Sequence, residues 1–138
     1  MIRNFVYSFC FVFVITFCSC SPGLHYSADA YRRDSTIETK ALQIVAKTSE
    51  SYSAHATEIE ALKTDIDNAL AEEKKRKMNQ ATVKMWESVQ HDKGNLYDLF
   101  EIWKTNDKVS PAIADDISKK IERLLGSITE LEDHKLKN

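Results

Sequence analysis

From Val45 onward the apolar residues of this chain keep a seven-residue beat: Val45, Tyr52, Ile59 and Ile66. Thr48, His55, Leu62 and Ala69 fill the intervening positions, giving the alternating three-and-four spacing of a helix seam. Ser35 or Thr36 is a suitable N-cap, and Glu38 suits the positive end of a helix dipole. The pattern predicts a long helix over 36–75. A second periodic stretch, Val83, Trp86, Val89, Leu96, Phe100 and Trp103, predicts a helix over 79–105. Asp92-Lys93-Gly94-Asn95 is its weak point, either a C-cap with a short loop or a kink. The third helix has clear start signals: Ser110 as N-cap, Pro111 at the first helical position, and acidic Asp115 and Asp116 in the early turns. Its apolar face runs from Ile113 to Leu131, predicting a helix over 111–134.

The expected fold class is therefore all-α, a long helix with two shorter ones in an up-down-up bundle. The alternative is an extended helical hairpin built on one uninterrupted helix over 36–92, roughly 85 Å long at 1.5 Å per residue. Three glycines and two prolines in the whole chain agree with long helices and argue against a sheet with many turns. Trp86, Trp103 and Phe100 are expected in the core, facing Ile117 to Leu124. The seam at Tyr52, Ile59 and Ile66 extends beyond what a short C-terminal helix covers, and is expected to mediate self-association or docking to another protein.

The N-terminal segment has a different character. One cation, Arg3, precedes an apolar run from Phe5 to Phe17, followed by Cys18-Ser19-Cys20-Ser21. That run is too short to span a bilayer comfortably and suits the apolar core of an export signal. The segment resembles a bacterial lipoprotein signal, with Phe17-Cys18-Ser19-Cys20 as the lipobox. Phe17 and Cys18 depart from the usual Leu and small residue, whereas Ser19 fits. The resemblance implies cleavage before Cys20, acylation of Cys20, and a membrane anchor through that N-terminal lipid. Ser21 after the cysteine resembles lipoproteins sent to the outer membrane, facing the periplasm. An ordinary secretory signal cut after Cys20 and an uncleaved anchor are the alternatives. The expected organisation is a signal over 1–20, a tether over 21–34, and a helical domain over 35–138.

Composition narrows the function further. All three cysteines, Cys10, Cys18 and Cys20, lie within the first twenty residues, so the remainder has no internal disulfide. Loss of Arg3 with that segment moves the net charge from −2 to −3, and no basic face with interleaved aromatics is present; nucleic acid is not an expected partner. Ala71 to Lys77 is read as a solvated helical turn, with Glu72–Arg76 and Glu73–Lys77 as i,i+4 pairs, or as a short basic patch for phospholipid headgroups. Glu87–His91, Glu130–His134 and His55–Glu58 have spacings that ligate metals in helical bundles, but the paired Glu-x-x-His repeats of di-metal bundles are missing. No phosphate loop, nucleophile elbow or Cys–His arrangement occurs. The expectation is a non-enzymatic helical interaction or assembly module of the cell envelope, with no catalytic residues, metal site or cofactor. A metal- or small-ligand-binding sensor using His91 or His134 is the competing reading, and a secreted helical protein without lipid is a third.

Overall fold

The computed structural model describes residues 25–137, which form five helices: α1 (Ala28–Val45), α2 (Tyr52–Lys75), α3 (Gln80–His91), α4 (Leu96–Asn106) and α5 (Pro111–His134). The first runs up, the second down, α3 and α4 together run up, and α5 returns. The arrangement is an all-α four-helix bundle whose third limb is broken in two. α1 packs on α2 and α5, while α3 and α4 lie between α2 and α5 on the other side.

Two features of the expected outline are corrected. The helix expected over 36–75 is two antiparallel helices, so the bundle is up-down-up-down rather than up-down-up, and it is no extended hairpin. The break falls at 46–51, where Thr48, Ser49 and Ser51 supply hydroxyls that compete for backbone groups. Thr48 Oγ1 donates to Val45 O at 2.9 Å. Carbonyls left over by the turn find distant donors: Thr48 O accepts Val109 N at 2.8 Å, and Glu50 O accepts Trp103 Nε1 at 2.9 Å. The seven-residue beat crosses this break because two adjacent helices carry core positions in the same phase.

The second correction concerns the tether. Residues 27–34 are not linker: Ser27 caps α1, its Oγ accepting Ala30 N at 3.1 Å. Ser35 and Thr36 stand inside α1. Its buried face is Ala30, Asp34, Ile37, Ala41, Ile44 and Val45, helical in spacing but too poor in large apolar groups at its start to register as a hydrophobic stripe.

At 92–95 the structure takes the loop alternative. Gly94 has φ +72°, a left-handed conformation that glycine adopts without strain. Gly94 N donates to Asp98 Oδ2 at 2.7 Å, and Asn95 Nδ2 donates to Ser88 O at 2.7 Å, closing both flanking helix ends. At 107–110, Asp107 is also left-handed (φ 62°), and its side chain has a structural task. Asp107 Oδ1 accepts Ser51 Oγ at 2.6 Å and Tyr52 N at 3.1 Å, capping α2 from across the bundle.

Trp86, Phe100 and Trp103 are completely buried, as the spacing predicts, and they pack with Ile59, Leu62, Ile66, Ile121 and Leu125 in one core. Burying each such side chain contributes roughly 2–3 kcal/mol. Trp103 also ties two loops and the start of α2 together, because its Nε1 bridges Glu50 O and Asp107 O (3.1 Å) while its ring meets Tyr52 edge-on at 5.8 Å.

Candidate functional site

The core positions can be followed along each helix past the last apolar residue. On α2 they run Ile59, Leu62, Ile66, Ala69 and then Glu73. On α5 they run Ile121, Leu125, Ile128, Glu132, and Lys135 just beyond the helix. On α1, Asp34 holds the core position between Ala30 and Ile37. On the third limb, Asn79 and Thr82 precede Trp86 and Val89. All these polar residues are buried. The end of the bundle where α1 begins and α5 finishes therefore has a charged layer where the rest of the core is apolar.

Its hydrogen bonds form a connected network. Arg33 binds Asp34 at 2.8 Å and also Glu73. Arg76 forks between Glu73 Oε2 (2.9 Å) and Glu132 Oε1 (2.6 Å). Lys135 Nζ donates to Glu132 Oε2 at 2.5 Å and to Asn79 Oδ1 at 2.6 Å. Asn79 donates to Glu73, and Thr82 Oγ1 donates to Asn79 Oδ1 at 3.1 Å. The incoming chain is fastened to the same layer: Ser27 N donates to Glu132 Oε1 at 2.7 Å, and Arg76 Nη2 donates to His25 O at 2.6 Å. Three cations stand against three carboxylates, as a buried layer requires if charge is not to be left uncompensated.

Electrostatics inside the layer are uneven. Burial pushes Glu132 up, but bonds from Arg76 and Lys135 outweigh it and hold the carboxyl below its ordinary value. Burial likewise pushes Arg33 and Arg76 down, and their carboxylate partners more than reverse it. Asp34 goes the other way. Burial raises its carboxyl to about 6 despite Arg33, and its Oδ2 has no hydrogen-bond partner. An acid whose pKa is higher folded than unfolded weakens the fold when ionised, so Asp34 destabilises as pH rises through about 6. Glu132 has the opposite sign: its contribution is present above the unfolded carboxylate value and is lost as pH falls through its lowered folded one. Asp34→Asn is expected to stabilise the protein by about 1–3 kcal/mol at neutral pH, with the gain vanishing as pH falls below about 4. Urea unfolding of both proteins across that range measures it, and an unchanged or lower stability at neutral pH refutes it.

The sequence-predicted site residues lie elsewhere. Ile59 and Ile66 are fully buried between the helices of one chain, and Tyr52 is partly buried against Trp103. The expected exposed seam does not exist on this fold, because α1, read from the sequence as the first part of the helix over 36–75, folds back on α2 and occupies one side of it. Cys20 lies outside the described residues. The run over 71–77 is not simply a solvated turn: Glu73 and Arg76 enter the charged layer, while Lys75 pairs with Glu72 at 2.7 Å and Lys74 with Glu87 at 3.0 Å. His55 sits between Glu50 (2.8 Å) and Glu58 (2.5 Å) and leans on the Trp103 ring. His91 is exposed. Among the described residues no three His, Cys, Asp or Glu side chains gather as a metal-holding group. The signal that finds the charged layer is the heptad register itself, extended onto residues that are not apolar.

Comparison of the chain with family models, with curated proteins and with solved structures gives no match.

Proposed function

We propose that the chain is an exported lipoprotein, anchored through Cys20, whose bundle serves as a non-enzymatic interaction or assembly module at a cell-envelope membrane, in the outer membrane and facing the periplasm. The observation that carries this reading is the Phe17-Cys18-Ser19-Cys20 junction after one cation and an apolar run, standing seven residues before the helix cap at Ser27. The charged side chains buried in the bundle agree with it, since they are spent on one another rather than arranged around a reacting position. With Ile59 and Ile66 inside the core, a partner docks on the outer faces of the helices and not on the seam.

Two acyl chains, each adding about 0.8 kcal/mol per buried methylene, suffice for stable anchoring. Cys20→Ala is expected to leave an unprocessed precursor or a protein released from the membrane. Intact mass and membrane fractionation read both. Normal processing with unchanged membrane attachment refutes the anchor, and separation of inner from outer membranes tests the location independently.

A further inference from the structure

We propose that the end of the bundle carrying Met78 and Leu136 rests on the lipid surface of the membrane to which the chain is anchored, with these two side chains entering the headgroup region. This rests on the anchor at Cys20. His25 stands five residue steps after Cys20, a reach of about 17 Å at full extension. His25 O is held by Arg76 at the charged end of the bundle, so that end is kept close to the anchor. The opposite end lies a further 36 Å or so away, the length of α5.

Exposed apolar groups are placed accordingly. Among the described residues the exposed large hydrophobics are Met78 (51%), Leu136 (61%) and Ile113 (47%). Met78 and Leu136 adjoin Asn79 and Lys135, which bond one another, whereas Ile113 lies in the first turn of α5 at the far end. Exposed Lys77 and Lys137 flank the pair, although Lys137 is shared with Asp133 at 2.7 Å. A cavity of about 210 Å³ lined by His25, Arg76, Lys77 and Asn79 opens beside them. Apolar side chains flanked by exposed lysines are an arrangement that seats on anionic headgroups.

Met78 has a second peculiarity. Its φ is 58°, a left-handed conformation that glycine or asparagine adopts far more readily. Asp107, the other non-glycine residue in this conformation among the described residues, uses its side chain to cap α2. No polar group of Met78 can do the same. An unbranched apolar side chain kept exposed on a strained backbone is accounted for by contact with lipid.

The test uses the full chain purified with its anchor and reconstituted in vesicles of phosphatidylcholine with a minority of phosphatidylglycerol. Since the three cysteines lie in the first twenty residues and Cys20 is blocked by its lipid, Met78→Cys, Leu136→Cys or Ile113→Cys each provides one reactive thiol for a nitroxide. Labels at 78 and 136 are expected to be at least about fivefold less accessible to a water-soluble nickel chelate than the label at 113, and only with vesicles present. Met78→Gly removes the side chain and relieves the backbone; it should keep or raise thermal stability while abolishing the shielding of the label at 136. Protein that floats with the vesicles but shows equal accessibility at all three labels overturns the docking and leaves the anchor standing. Protein that does not float overturns both. Shielding already present without vesicles marks contact between copies and overturns the lipid assignment.

Discussion

Ile59→Lys is expected to unfold the monomer. Ile59 has no exposed surface and lies in the core with Trp86, Phe100 and Trp103. A lysine there either brings an ammonium into an apolar interior or loses its proton, and both cost several kcal/mol beyond the lost packing. Against a total stability of 5–15 kcal/mol for a domain of ordinary size, that removes most or all of the fold. Circular dichroism should show collapse of the helical signal, while Ile59→Val, which deletes one methyl, should cost only about 1 kcal/mol. The contrary result is informative. A lysine variant that keeps its helix and melting temperature but changes its sedimentation would mean that the seam is shared between chains and that the monomeric packing is incorrect.

Arg76→Ala carries the second large effect. Among the described residues, Arg76 is the one side chain that bonds Glu73, Glu132 and the backbone of His25 together. Both glutamates are buried, and removing the guanidinium takes one of two cationic partners from each, leaving Glu73 with Arg33 and Glu132 with Lys135. Breaking a buried pair from one side costs about 3–5 kcal/mol when it leaves the other charge uncompensated, and the remaining partners with the partial exposure of Arg76 put the loss at or below the lower end. Arg76→Lys restores the charge but not the planar fork, and should recover only part of the loss. Chemical denaturation of the three proteins orders them: wild type, then lysine, then alanine. An alanine variant within about 0.5 kcal/mol of wild type would mean that the layer is solvated in solution and contributes nothing measurable.

Much of the core was legible in the sequence because large apolar residues mark it. Spacing alone places Trp86, Phe100, Trp103 and, on α5, Ile117, Ile121, Leu125 and Ile128 in the core, and Pro111 marks its helix start to the residue, whereas Ile113, read as the first residue of that face, is exposed. What was not legible has physical causes. The 46–51 turn contains neither glycine nor proline, and its signal, three hydroxyl residues in four, is masked by a beat that continues on both sides. The start of α1 was missed because alanines and an aspartate hold its core positions. The charged layer is hidden for a related reason, since Glu73 reads as part of a solvated turn until the register of its helix is known. Those two omissions are one, because α1 brings Arg33 and Asp34 to the layer.

The fastening of the entering chain has a mechanical consequence. A pull on the backbone N-terminal to residue 25 does not act on α1 alone. Arg76 on the His25 carbonyl and Glu132 on the Ser27 amide pass the load directly to the end of α2 and to α5. Three limbs then share the load, and bonds loaded side by side yield together rather than in succession. Without those two contacts, the same force would peel α1 away one turn at a time.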